Sequence, residues 1–141
     1  MIDVGCGSGI LSIAAIKLGA TSALGVDIDP GSVKNARENA DINHVGEELI
    51  LGVGSVQEIL DGKFAFSKAP LVVANILAPV IIRLFDAGLA DLAEENGAII
   101  LSGILQEQAK GVIEAGQARG LKLNELRQMG DWVALTMSCS I

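Results

Sequence analysis

Residues 3–9 read Asp-Val-Gly-Cys-Gly-Ser-Gly, and Asp27 ends the apolar run that follows. A glycine-rich turn leaving a strand lets a ligand approach the backbone closely. An acidic residue about 20 positions later can accept both hydroxyls of a ribose. The pairing predicts a pocket for a nucleoside-containing cofactor. Asp27 is the residue most directly expected to hold it, since a carboxylate takes two charge-assisted hydrogen bonds from vicinal hydroxyls. The alternative is a helix-cap or loop carboxylate, a role that Asp29, followed by Pro30, fits better. Ile28, between them, can pack on an adenine face or end the strand as a buried residue.

The glycine spacing bears on which cofactor. A dinucleotide fingerprint is Gly-x-Gly-x-x-Gly, its third glycine letting a helix pack close while its N-terminus faces a pyrophosphate. Here the glycines are Gly5, Gly7 and Gly9, and Ile10 stands where that third glycine would be. The pattern resembles motif I of S-adenosylmethionine (SAM)-dependent methyltransferases. SAM carries no phosphate and needs an acceptor for its ammonium, a role open to Asp3. Asn75 begins Asn-Ile-Leu-Ala at the end of another apolar run. An amide just past such a run is unusual for a core position. Its carbonyl can accept from an amine and aim the nitrogen lone pair at a methyl group, which makes Asn75 the candidate catalytic residue. The placement is similar to the Asn/Asp-Pro-Pro-Tyr motif of amino-group methyltransferases, with Ile76 and Leu77 departing from it. The alternative is a turn former before Pro79. Ser55 can face the adenine edge, and residues 102–105 (Ser-Gly-Ile-Leu) can line the acceptor side. Trp132 is expected to pack a closing hairpin, and His44 to be solvated. Cys6 reads as a small filler rather than a reactive thiol. One His and two distant Cys give no readable metal site, and no Ser-His-Asp or Cys-His set is available.

With 141 residues, half of them apolar and 3% aromatic, the chain suits one domain with an aliphatic core, as buried parallel strands have. The net charge is −7 and the ten Lys and Arg are scattered, so direct nucleic-acid binding is not expected. Cys6 and Cys139 predict reduced thiols in the cytoplasm. Residues 71–93 form the longest apolar stretch, but Asn75, Pro79, Arg83, Asp86 and Asp91 interrupt it, which argues against a membrane span. The chain opens directly on the glycine turn, so a first strand without its start, and a longer parent protein, are expected.

The elements that must position these residues alternate. Strands are predicted at 1–4, 22–27, 48–53, 71–75 and 98–102. A helix capped by Ser8 runs to about Leu18, where Gly19 closes it. Asp29-Pro30 opens a second helix ending near Asn43. Residues 54–69 read mostly as loop with one helical turn. Pro79 starts a helix whose spacing carries through Leu89 and Leu92 to a stop at Asn96-Gly97. Gln106–Arg119 is helical. Residues 121–129 and 132–139 form a hairpin around Gly130-Asp131. Such alternation predicts a doubly wound α/β fold, its seven-stranded sheet mostly parallel apart from the antiparallel hairpin. The turn, Asp27 and Asn75 all fall at strand carboxyl ends, where open α/β sheets bind ligands.

These segments together resemble one family, the bacterial methyltransferases of large-subunit ribosomal protein eleven. Asp-Val-Gly-Cys-Gly-Ser-Gly-Ile-Leu-Ser-Ile-Ala-Ala, Gly-Val-Asp-Ile-Asp-Pro, Val-Val-Ala-Asn-Ile-Leu-Ala, Leu-Ser-Gly-Ile-Leu and Trp-Val-Ala-Leu occur in its order and spacing. The resemblance covers essentially the whole chain. It implies a class I, Rossmann-like SAM-dependent domain over residues 1–141, with SAM held by Gly5, Asp27 and Asn75. The wider candidate set for the cofactor is Asp3, Gly5, Gly7, Asp27, Ile28, Ser55 and Asn75. It further implies methyl transfer to lysine side chains and an N-terminal amine of the ribosomal protein, its expected partner. The family's N-terminal recognition domain and an upstream threonine contact are not in this sequence, and surface so exposed can support self-association. Two other readings stay open from the residues: a SAM-dependent enzyme acting on a small molecule or nucleic acid, and a non-catalytic nucleotide-binding module, including an NAD-binding domain.

Overall fold

The structure is a computed structural model and describes residues 1–139. The chain divides into two compact units, residues 1–67 and 68–141.

In the first unit, strand β1 (Ile2–Val4) leads through the glycine turn into helix α1 (Ile10–Lys17). Strand β2 (Ala23–Asp27), helix α2 (Pro30–Ile42), strand β3 (Leu49–Val53) and the short helix α3 (Val56–Leu60) follow. The strands are parallel in the order β3-β2-β1, with Val4 beside Val26 and Asp27 beside Val53. Ile13, Ala23, Ala40, Val45 and Leu49 form one buried cluster, which joins both longer helices to the strands. The expected Asp29-Pro30 start is confirmed, because Asp29 Oδ1 accepts from the Gly31 N–H at 3.0 Å. Ser8 does not cap α1. Gly9 holds that position in a left-handed conformation, and no side chain bonds the first turn.

In the second unit, strand β4 (Ala69–Asn75) precedes helix α4 (Ala78–Ala87), and strand β5 (Ala93–Leu105) precedes helix α5 (Ala109–Gln117). Strands β6 (Leu121–Met129) and β7 (Trp132–Cys139) close the unit. The order is β4-β5-β7-β6, with β4 parallel to β5 and β7 antiparallel to both neighbours. The hairpin matches its expected boundaries. Its two-residue loop places Gly130 at φ 59, the first central position that a II′ turn reserves for glycine. Helix α4 departs from expectation. It stops at Gly88, which is left-handed at φ 107, and Leu89–Leu92 is a 3-10 turn. Asn96-Gly97 therefore lies inside β5 rather than ending a helix. Leu89 and Leu92 are buried all the same, so apolar spacing continues past the true helix end. Strand β4 also starts two residues earlier than expected. Its register shifts around Pro70, which has no N–H to give to the ladder.

Candidate functional site

In the first unit the glycine turn is strapped to the end of β2. The amides of Gly5 and Cys6 both donate to the Val26 carbonyl, at 2.8 and 2.9 Å. Gly5, Gly7 and Gly9 all have positive φ (74, 52 and 82°), so an L side chain at any of them would be strained. The Gly7 N–H donates to Asp27 Oδ2 at 2.9 Å, and the Asp29 N–H to Asp27 Oδ1 at 3.0 Å. Each carboxylate oxygen thus holds one backbone donor and keeps a lone pair for another. Asp27 is tied to the turn at a strand carboxyl end. Asp29 is the helix cap. The Gly54 N–H donates to the Asp27 carbonyl at 2.9 Å, which brings Ser55 beside the same strand end. Ser55 is half-buried and opens α3, where the Glu58 carboxylate accepts from its backbone N–H. Ile28 is 77% exposed, so it is not a buried strand-end residue.

Asp3 sits beneath this turn. It is 2% exposed, and Ser12 Oγ donates to its Oδ2 at 2.7 Å. Burial pushes its carboxyl up to about 6 against the pull of the Ser12 bonds, and the charge of Asp27 adds to the rise. In this geometry Asp3 supports the turn from below, and its carboxylate is turned to Ser12 rather than to solvent. Ser12 was not among the expected site residues. Its signal was a lone hydroxyl within the apolar run Ile10–Ile16. Cys6 is buried and its thiol is pushed up to about 12, chiefly by burial, which fits the filler role.

In the second unit Asn75 is exposed at the end of β4, and no described residue hydrogen-bonds its side-chain amide. It borders a cavity of about 790 Å³. Ser102 and Gly103 from β5 and the hairpin residues Met129 and Trp132 form much of its wall. Trp132 was expected only to pack the hairpin, yet it is 55% exposed on this wall. Among the described residues that line it, Arg127 is the single charged one, and its Nε donates to Glu125 Oε1 at 2.9 Å. Among the described residues no His/Cys/Asp/Glu group could hold a metal ion.

A model of the family described as ribosomal protein L11 methyltransferase matches residues 1–139. The chain belongs to this family. The ribosomal protein L11 methyltransferase of Agathobacter rectalis is 42% identical over 141 residues, covering 96% of this chain and 43% of that protein. The chain spans less than half the length of the curated L11 methyltransferases it matches. The crystal structure of the ribosomal protein L11 methylase of Lactobacillus delbrueckii subsp. bulgaricus is 34% identical. It aligns with a TM-score of 0.85 over 99% of this chain and 69% of that one. The precorrin-6y C5,15-methyltransferase of Geobacter metallireducens, 17% identical, shares the fold alone, with a TM-score of 0.76 over 99% of this chain and 78% of its own. The fold class is therefore the seven-stranded, mostly parallel α/β sheet of class I methyltransferases, closed by one antiparallel hairpin.

Proposed function

We propose that this chain is the SAM-binding catalytic domain of an L11 methyltransferase, moving methyl groups to lysine side-chain and N-terminal amines of ribosomal protein L11. The observation that carries the cofactor reading is the Asp27 carboxylate, fastened to Gly7 at 2.9 Å yet keeping acceptor capacity for a ribose diol. The surroundings fit an adenosyl group. No heavy atom lies within 4 Å of where a Cβ on Gly7 would stand, and the exposed Ile28 offers an apolar face. Gly5, Gly7, Asp27, Ile28 and Ser55 would hold the nucleoside. Asp3 would act on the ammonium only through its field beneath the turn. When bound, SAM supplies the electrophilic methyl group.

The chain's own part is to hold and dry the amine. Asn75 has an amide free to accept an N–H from the amine and so fix the direction of its lone pair. The cavity beside Asn75 offers apolar walls from Met129, Trp132 and Val133, and the described residues lining it include no carboxylate or imidazole. Such walls, with the Arg127 cation among them, disfavour an ammonium and favour the neutral, nucleophilic amine. With no general base at hand, the proton leaves to water before attack. A cytoplasmic location would follow from a ribosomal substrate, and no helix of the described residues is long and apolar enough to cross a membrane.

Titrating SAM and NAD separately into the chain by calorimetry tests this reading. SAM should bind and NAD should not. Asp27→Ala should weaken SAM binding at least tenfold, the loss of a charge-assisted pair of hydrogen bonds costing about 1.5–3 kcal/mol. Binding of NAD in place of SAM, or a SAM affinity indifferent to Asp27→Ala, would overturn it.

A further inference from the structure

We infer that Gly103, with the β-bulge it completes, is a positioning residue that keeps open the space occupied by the Asn75 side-chain oxygen. Its consequence for methyl transfer rests on the function proposed above. Its geometry does not. In the β5–β7 ladder Leu101 pairs with Leu135 and Ile104 with Val133. Ser102 and Gly103 therefore oppose Ala134 alone, so β5 carries one extra residue. Gly103 is left-handed at φ 77. Bulges of this kind bend a strand and re-aim side chains next to functional sites.

This bulge sits where β4 ends. Asn75 pairs with Ser102, and the Ile76 N–H donates to the Ser102 carbonyl at 3.2 Å, the last link between the two strands. A Cβ built on Gly103 would stand 2.8 Å from Asn75 Oδ1, 2.9 Å from the Ile76 carbonyl oxygen and 3.2 Å from the Ile76 nitrogen. Real Cβ atoms essentially never approach as closely as the first two of these, and the third is tighter than nine in ten real contacts; two of the three neighbours are backbone. With no described hydrogen bond to direct it, the Asn75 amide is placed by the space around it. Glycine at 103 preserves that space. Asn75, Ser102 and Gly103 line the same cavity, so a displaced amide would be displaced at the acceptor.

The test is Gly103→Ala in the 141-residue chain, read first by the NMR resonances of the Asn75 side-chain NH2. Gly120→Ala is the strain-matched control, because Gly120 is left-handed at φ 84 with nothing within 4 Å of its would-be Cβ. The Asn75 resonances should move with Gly103→Ala and stay in place with Gly120→Ala. Should Gly103→Ala not fold, Gly103→Asn carries the same Cβ on a residue that tolerates left-handed backbone. The rate of methyl transfer to an L11-derived amine at saturating SAM then closes a double-mutant cycle. Gly103→Ala should slow it about tenfold when Asn75 is present and less than about twofold in an Asn75→Ala background. Asn75 resonances that do not respond, or an equal loss in both backgrounds, would overturn the inference by making Gly103 merely structural. If the parent chain binds no SAM, the cofactor reading fails, while the Asn75 resonances still decide the positioning role.

Discussion

The buried Asp3–Ser12 pair is the residue whose behaviour follows most directly from its surroundings. Asp3 lies under the glycine turn, its Oδ2 held by Ser12 Oγ at 2.7 Å, and burial lifts its carboxyl from 3.8 to about 6. A folded carboxyl with a raised pKa keeps its proton at pH values where the unfolded chain has lost it. The stability it contributes is complete below about pH 3.8, falls as pH rises to about 6, and is flat above that. The change amounts to about 3 kcal/mol. Asp3→Asn abolishes this titration and keeps an oxygen for Ser12 to donate to. Relative to the parent chain, the variant should therefore gain about 2 kcal/mol between pH 4 and pH 7, measured by urea unfolding at each pH. A stability difference that stays constant with pH would mean that Asp3 is not the buried acid described here. Ser12→Ala should cost about 1–3 kcal/mol at pH 7, where it leaves a buried carboxylate without its hydroxyl donor, and less at pH 4.

At the scale of elements, two helices end in the same way with different residues. After α1 the Ala20 N–H donates to the Ala15 carbonyl and Gly19 N–H to Ile16, at 2.9 and 3.1 Å. After α2 the Val45 N–H donates to Ala40 and His44 N–H to Asp41, at 2.8 and 3.1 Å. Both are Schellman closures, which place one left-handed residue just past the helix. Gly19 fills that place in the first and His44, at φ 59, in the second. A side chain in left-handed backbone costs about 1 kcal/mol, partly offset by the freedom glycine has in the unfolded chain. His44→Gly should therefore raise stability by about 0.5 kcal/mol or more, and Gly19→Ala should lower it by about 1 kcal/mol, in thermal unfolding. A destabilised His44→Gly would show that the exposed imidazole makes a contribution beyond its backbone. These closures also explain what the sequence made legible. Asp29-Pro30, Gly19 and Gly130 are local signals, each acting on backbone within a few residues, and the elements they bound lie where expected. The end of α4 was hidden because Leu89 and Leu92 stay buried through a 3-10 turn, so the apolar rhythm outlasts the helix. The link between Asp27 and the glycine turn was readable from their spacing, and the Gly7 N–H donates to Asp27 Oδ2. Ser102 and Gly103 were expected along the acceptor side and line the cavity beside Asn75, whereas Ser12 beneath the turn and the exposed wall of Trp132 were not legible, because each depends on a neighbour distant in sequence.

For the molecule as a whole, charge and chemistry would pull in opposite directions on the amine acceptor proposed above. The net charge of −7 attracts a lysine-bearing protein from a distance, and such attraction raises encounter rates and weakens with salt. In that reading the cavity beside Asn75 needs the reverse, a neutral amine, and among the described residues that line it the cation Arg127 is the only charged one. An unperturbed lysine amine has a pKa of about 10.4, so at pH 7 the reactive form is scarce. If no protein group takes its proton, the rate of methyl transfer follows the neutral fraction. The single-turnover rate with an L11-derived amine should then rise about tenfold per pH unit from pH 7 toward 9, levelling near the amine pKa. Added salt should lower kcat/KM and leave this slope unchanged, since salt acts on encounter and the slope on chemistry. A profile already flat at pH 7 would mean that a basic group takes the proton, or that the cavity depresses the amine pKa by several units. The two separate on an acceptor whose amine has a different intrinsic pKa, because a profile set by the amine's own depressed pKa moves with it and one set by a protein base does not.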